Sequence, residues 1–162
     1  MNLQTISNTK KLTRSAIVMA LYIVLMYLTQ WFAFGAIQIR VATSLYALAY
    51  FDPFLIIPLG ISNLLSNTFF GGLGPFDIIG GGIVGITTSL FIYLIHKFKI
   101  NKWLVAIPII LIPGLGVSIW LSLLLKIPYA IMATNLILGQ IIPGILGVLL
   151  IKFLPAKMKE VH

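Results

Sequence analysis

The 162-residue sequence has no cysteine, two histidines and three acidic residues. Without cysteine, disulfides, thiolate metal sites and cysteine nucleophiles are excluded. His96 and His162 are too few for a histidine-cluster metal site. Asp52, Asp77 and Glu160 are scattered, so no paired carboxylates are set up for acid–base chemistry. There is no HExxH helix, no phosphate-binding loop and no GxSxG elbow. With no catalytic cluster, enzymes are disfavoured as a class. Charge is scarce too. Only 9% of residues are charged, against roughly 25% in a soluble domain. So few charges cannot cover a water-facing surface.

What the chain has instead is apolar length. Hydrophobic residues make up 60% of it, and the mean hydropathy is +1.10. The lipid bilayer is the solvent this composition requires. Six apolar runs follow one another, over about residues 15–34, 41–51, 53–70, 76–95, 103–125 and 128–153. Lys10, Lys11 and Arg14 before the first run, and Ala33-Phe34-Gly35 after it, imitate a secretory signal with its cleavage site. The run is nevertheless long enough to cross about 30 Å of hydrocarbon, and others follow. Asp52-Pro53 marks a turn, because the residue before proline is pushed out of the helical region. Gly71-Gly72-Leu73-Gly74-Pro75 is a loop by composition, and Pro113-Gly114 predicts a kink. The prediction is a single-domain, all-α membrane protein with six transmembrane helices.

The net charge of +8 does not point to nucleic acid, because the basic residues lie in short segments between apolar runs. With six crossings, Lys10, Lys11, Arg14, Lys97, Lys99, Lys102, Lys152, Lys157 and Lys159 fall on one face. Arg40 and Lys126 fall on the other. Such a nine-to-two split predicts cytoplasmic N and C termini. If the short second run did not cross, Lys97 to Lys102 would move outside and the asymmetry would weaken. No internal repeat is visible, which argues against a self-contained secondary transporter.

Polar side chains at membrane depth are costly and need a partner or a task. Toward the outer face these are Gln38 and Arg40 before the second run, Ser44 and Tyr46 within it, and Asn63 and Asn67 in the third. Asp77 starts the fourth, Trp120 lies late in the fifth, and Asn135 and Gln140 lie in the sixth. Asn63 and Asn67 are four apart and share a helical face. Their amides suit the edge of a heterocycle, and suit helix-to-helix hydrogen bonding equally well. Arg40 and Asp77 share the predicted outer rim, where an ion pair closing the loops is favoured over ligand contact. Asn135 and Gln140 are five apart and do not share a face cleanly. Asp52 is expected to cap the third helix. Ala16 and Ala20, like Gly81 and Gly85, are spaced to let helices approach closely. For the alanines, spacing alone favours internal packing over docking of another membrane subunit.

Five stretches resemble the QueT family: Gln38-Ile39-Arg40-Val41, Ala49-Tyr50-Phe51-Asp52-Pro53, Asn63-Leu64-Leu65, Gly71-Gly72-Leu73-Gly74 and Asp77-Ile78-Ile79-Gly80. That family comprises substrate-binding S components of energy-coupling factor (ECF) transporters. The resemblance implies a six-helix S component that takes its small-molecule substrate from outside. Its partners would be a transmembrane coupling subunit and two cytoplasmic ATPases. ATP would be used by those ATPases, and this chain would carry no cofactor. It also implies that Ala16 and Ala20 match the alanine-x-x-x-alanine stretch that docks the coupling subunit. The implied ligand is a queuosine precursor, a 7-deazaguanine base. Its ring would stack on Trp120, Tyr46 or Tyr129, and its Watson–Crick edge would meet Asn63, Asn67, Asn135 or Gln140. Where the family pattern carries glutamates, this chain reads Ala42-Thr43-Ser44-Leu45 and Leu138-Gly139-Gln140-Ile141, both neutral. Two alternatives remain: an S component for another vitamin or heterocyclic micronutrient, and a structural or pore-forming membrane protein with no ligand.

Overall fold

A computed structural model describes residues 7–34 and 37–159, with side chains through residue 154. Gly35 of the cleavage-like motif and the side chains of Lys157 and Lys159 lie outside the described residues. The chain is an all-α membrane protein. Its helices are α1 (Asn8–Ala33), α2 (Ile56–Phe70), α3 (Pro75–Lys97), α4 (Ala106–Leu125) and α5 (Tyr129–Lys159). A 3₁₀ segment, Val41–Tyr50, lies between α1 and α2. Shorter 3₁₀ turns, Pro53–Leu55 and Lys102–Val105, lead into α2 and α4.

Among the described residues, five segments are long and apolar enough to cross a membrane: Asn8–Ala33, Pro53–Phe70, Pro75–Lys97, Lys102–Leu125 and Tyr129–Leu154. Helices suit this solvent because they satisfy their own backbone groups. α1 begins earlier than its apolar run because Asn8–Arg14, largely exposed, continues the helix beyond it. α4 runs on through Pro113, whose missing N–H leaves the Ile109 carbonyl without its helical donor.

The second run takes the form the sequence did not suggest. Ten residues of 3₁₀ helix are uncommon, and at about 2.0 Å per residue they extend roughly 20 Å. Eight of the ten are buried, so this segment is the axis of the core rather than a lipid-facing helix. It runs antiparallel to α1. At one end Arg40 Nε donates to the Ala33 carbonyl at 3.3 Å. Midway the Tyr22 and Tyr46 hydroxyls are 3.1 Å apart and their rings stack. At the other end Asp52 pairs with Arg14 at 3.2 Å, and Tyr50 packs edge-on against His96. Asp52 therefore makes no helix cap: its carboxylate is turned to the guanidinium across from it, and no side chain caps the turn at Pro53.

Small residues fit the helices together as their spacing predicts. A Cβ on Gly85 of α3 would lie 3.0 Å from Gly60 Cα of α2 and 3.1 Å from the Tyr46 hydroxyl. One on Gly81 would collide with the Asn67 amide. Ala16 and Ala20 are different. Both are exposed on α1, so the structure contains no internal packing for them.

Candidate functional site

Polar side chains gather where the C-terminal ends of α1 and α2 and the N-terminal end of α3 meet the start of the 3₁₀ segment. Arg40 is at the centre and is 4% exposed. Its Nη1 donates to Asn63 Oδ1 at 3.2 Å and Asn67 Oδ1 at 3.1 Å, and its guanidinium lies 4.7 Å from the Phe34 ring centre. Its Nη2 is buried with no hydrogen-bond partner. The asparagines are fixed in turn. Asn63 Nδ2 donates to the Tyr46 hydroxyl and to the Gly81 carbonyl, both at 2.8 Å. Asn67 Nδ2 donates to the Asp77 carbonyl at 2.9 Å. The four-residue spacing does put both amides on one face, and there they serve Arg40 and α3 together.

Asp77 and Arg40 share this end but form no ion pair. Asp77 Oδ1 accepts from Trp120 Nε1 at 2.9 Å, and Oδ2 accepts from the Leu73 backbone N–H at 3.1 Å. Both carboxylate oxygens are thereby engaged, and Asn67 stands between the two charged groups. The expected ion pair is replaced by a tie between α3, α4 and the Gly71–Gly74 loop. The ion pair found among the described residues is Arg14–Asp52.

Opposite Arg40 is Gln140 of α5, 2% exposed. Its Nε2 donates to the Gln38 carbonyl at 3.3 Å, and its Oε1 lies 2.8 Å from Thr43 Oγ1. Gln38 has φ 49°, in the left-handed region that non-glycine residues rarely occupy. Its neighbour Ile37 presses its carbonyl oxygen onto Gly139, where any Cβ would collide. A glycine at 139 thus lets the segment carrying Arg40 lie directly on α5.

Gln38, Arg40, Thr43, Asn63 and Gln140 line one small cavity with Val84, Pro113, Val117 and Leu136. Its free volume is about 10 Å³, barely that of one water. A bound molecule must therefore part these walls. An uncompensated guanidinium in such a place costs several kcal/mol in desolvation. Two amide oxygens, a carbonyl and a ring face offset part of that cost, and Nη2 of this cavity-lining residue still has donors to spare.

A family model described as "QueT transporter" matches residues 12–156. The chain belongs to the QueT transporter family. No curated protein and no solved structure matches it. For this family member, several predicted site residues meet at the cavity and others do not. Tyr46 supports the cavity from behind through Asn63. Trp120 lies outside the lining, bonded to Asp77 and packed on Gly80. Ser44 lines an apolar groove between α1 and α5 with Leu21, Leu25 and Leu146. Asn135 is half-buried outside the lining, and Tyr129 is exposed with its hydroxyl on the Leu115 carbonyl. Sequence reasoning missed Thr43, Tyr22 and Phe34. A hydroxyl mid-span was signal enough for Tyr22, and three-residue spacing from Arg40 would have served for Thr43. Nothing local marked Phe34.

Proposed function

We propose that this chain is the substrate-binding S component of an ECF importer and that it takes a 7-deazaguanine base, a queuosine precursor. The observation that carries this reading is the Arg40 cluster: a buried guanidinium with unpartnered donors, on a residue that lines a small cavity. A structural membrane protein has no use for so costly a group. The neutral residues around Arg40 suit a heterocycle whose acceptors meet the guanidinium once the walls part. Membership of the QueT transporter family supports transport as the context. With no catalytic or nucleotide-binding cluster in this chain, the energy comes from partner ATPases through a transmembrane coupling subunit. Exposed Ala16 and Ala20 on α1 offer that subunit a flat surface for close helix contact.

In this proposal the 3₁₀ segment is a sixth crossing and both termini are cytoplasmic, in a bacterial plasma membrane. Contacts at both ends of α1 support it, as does the charge asymmetry. The cysteine-free chain makes the topology easy to test. A cysteine at Lys126 should react with an impermeant maleimide on intact cells, and one at Lys99 only after permeabilisation. Equal labelling of both on intact cells would rule the arrangement out.

The ligand is tested by titrating the purified chain with deazaguanine bases in a calorimeter. Saturable 1:1 binding is expected. Absence of any response would remove this ligand class. For docking, bulky replacements at Ala16 and Ala20 should abolish co-purification with the coupling subunit while leaving ligand affinity unchanged. Undiminished complex formation would place the contact elsewhere.

A further inference from the structure

Two residues that line the cavity have unused hydrogen-bonding capacity of opposite kind. Arg40 Nη2 is a buried donor without a partner. Gln140 Oε1 is an acceptor whose capacity is not filled. The Gln38 carbonyl needs a donor, which fixes the Gln140 amide with Nε2 toward Gln38 and Oε1 toward Thr43. Thr43 Oγ1 lies 2.7 Å from the Arg40 carbonyl and 2.8 Å from Gln140 Oε1. A hydroxyl has one proton, so it donates to one of them at a time. The Arg40 carbonyl already receives the Thr43 backbone N–H at 2.9 Å. Even when the hydroxyl serves Gln140, one lone pair of Oε1 remains.

From this pairing we infer that the site reads a lactam edge: a ring carbonyl accepting from Arg40 and the adjacent ring N–H donating to Gln140. Thr43 is the positioning residue, because its hydroxyl holds Gln140 Oε1 in register. The inference rests on the heterocycle reading above and narrows it to a donor–acceptor pattern. Asn63 and Asn67 take no part, since their amide groups are already bonded to Arg40, Tyr46 and the α3 backbone. An amino-substituted ring presents a donor to Arg40 and a bare ring nitrogen to Gln140, and so reverses both contacts.

The test is a set of matched titrations of the purified full chain in lipid nanodiscs. 7-Deazaguanine is compared with 2,6-diamino-7-deazapurine, guanine with 2,6-diaminopurine, and pterin with 2,4-diaminopteridine. The lactam member should bind at least about thirtyfold tighter in whichever pair binds, as two reversed hydrogen bonds require. Gln140→Leu should collapse that ratio, and Thr43→Val should reduce it, while Thr43→Ser preserves it. A folding defect lowers both affinities together and leaves the ratio intact. A diamino ring that binds as well as its lactam partner overturns the inference and leaves the heterocycle reading standing. A lactam preference seen only with pterin or guanine upholds the inference and removes the deazaguanine assignment. No binding in any pair overturns both.

Discussion

Arg14 and Arg40 lie toward opposite ends of α1 and show what the same side chain does in two settings. Arg14 is 43% exposed and pairs with Asp52 at 3.2 Å. Exposed pairs of this kind contribute about 0–1 kcal/mol and weaken with salt. Arg40 is 4% exposed and meets carboxamides, a carbonyl and a phenyl ring, but no carboxylate among the described residues. The paired arginine ties the 3₁₀ segment to α1 where water helps. The unpaired one is buried inside the bundle, with donors left over. A chain selected only for stability would reverse this arrangement; under the proposed function the cost at Arg40 is a requirement of binding.

The largest effect on this contrast is expected from Arg40→Met. It removes the spare donors of this cavity-lining residue and should weaken ligand binding about 10- to 100-fold, since each hydrogen bond to a charged group contributes about 1.5–3 kcal/mol. Calorimetric titration reads it, and unchanged affinity would divorce Arg40 from recognition. Gly139→Val should come next. It leaves Arg40 in the sequence but forces Ile37 off α5, so both thermal stability and affinity should fall, by about 1–3 kcal/mol in stability. A wild-type melting curve would show that the segment need not sit on α5.

How much of this was legible in the sequence depends on the length scale. Hydropathy finds the long helices because about twenty apolar residues are a strong signal. The 3₁₀ form of Val41–Tyr50 was not readable, since ten mostly apolar residues do not separate a period of 3.0 from 3.6. Asn63 and Asn67 were placed together correctly because one helix fixes their spacing. Arg40 and Asp77 were placed at the same end correctly, but their partners were not legible. Those depend on α4 bringing Trp120 within 2.9 Å of Asp77, a tertiary fact. Ser44 fails for a similar reason: burial on a 3₁₀ segment enclosed by other helices does not say which wall a side chain faces.

Two smaller effects sharpen the comparison. Asn63→Ala removes three hydrogen bonds at once and should cost about 1–2 kcal/mol, as bonds between transmembrane helices are individually modest. Thermal unfolding in detergent measures it, and a loss no greater than that of the exposed Thr68→Ala would mean the network is slack. Arg14→Gln should cost less than about 1 kcal/mol, and the difference from wild type should shrink in high salt. A salt-independent loss would mean that pair is more shielded than its exposure indicates.

The most direct test sets the two arginines side by side. The wild-type chain, Arg14→Gln and Arg40→Gln are titrated with the same deazaguanine base under identical conditions. The account predicts indistinguishable affinities for wild type and Arg14→Gln, and a loss of at least about tenfold for Arg40→Gln, in which a neutral amide can still bond Asn63 and Asn67 but lacks Nη2. Equal binding by all three would contradict it.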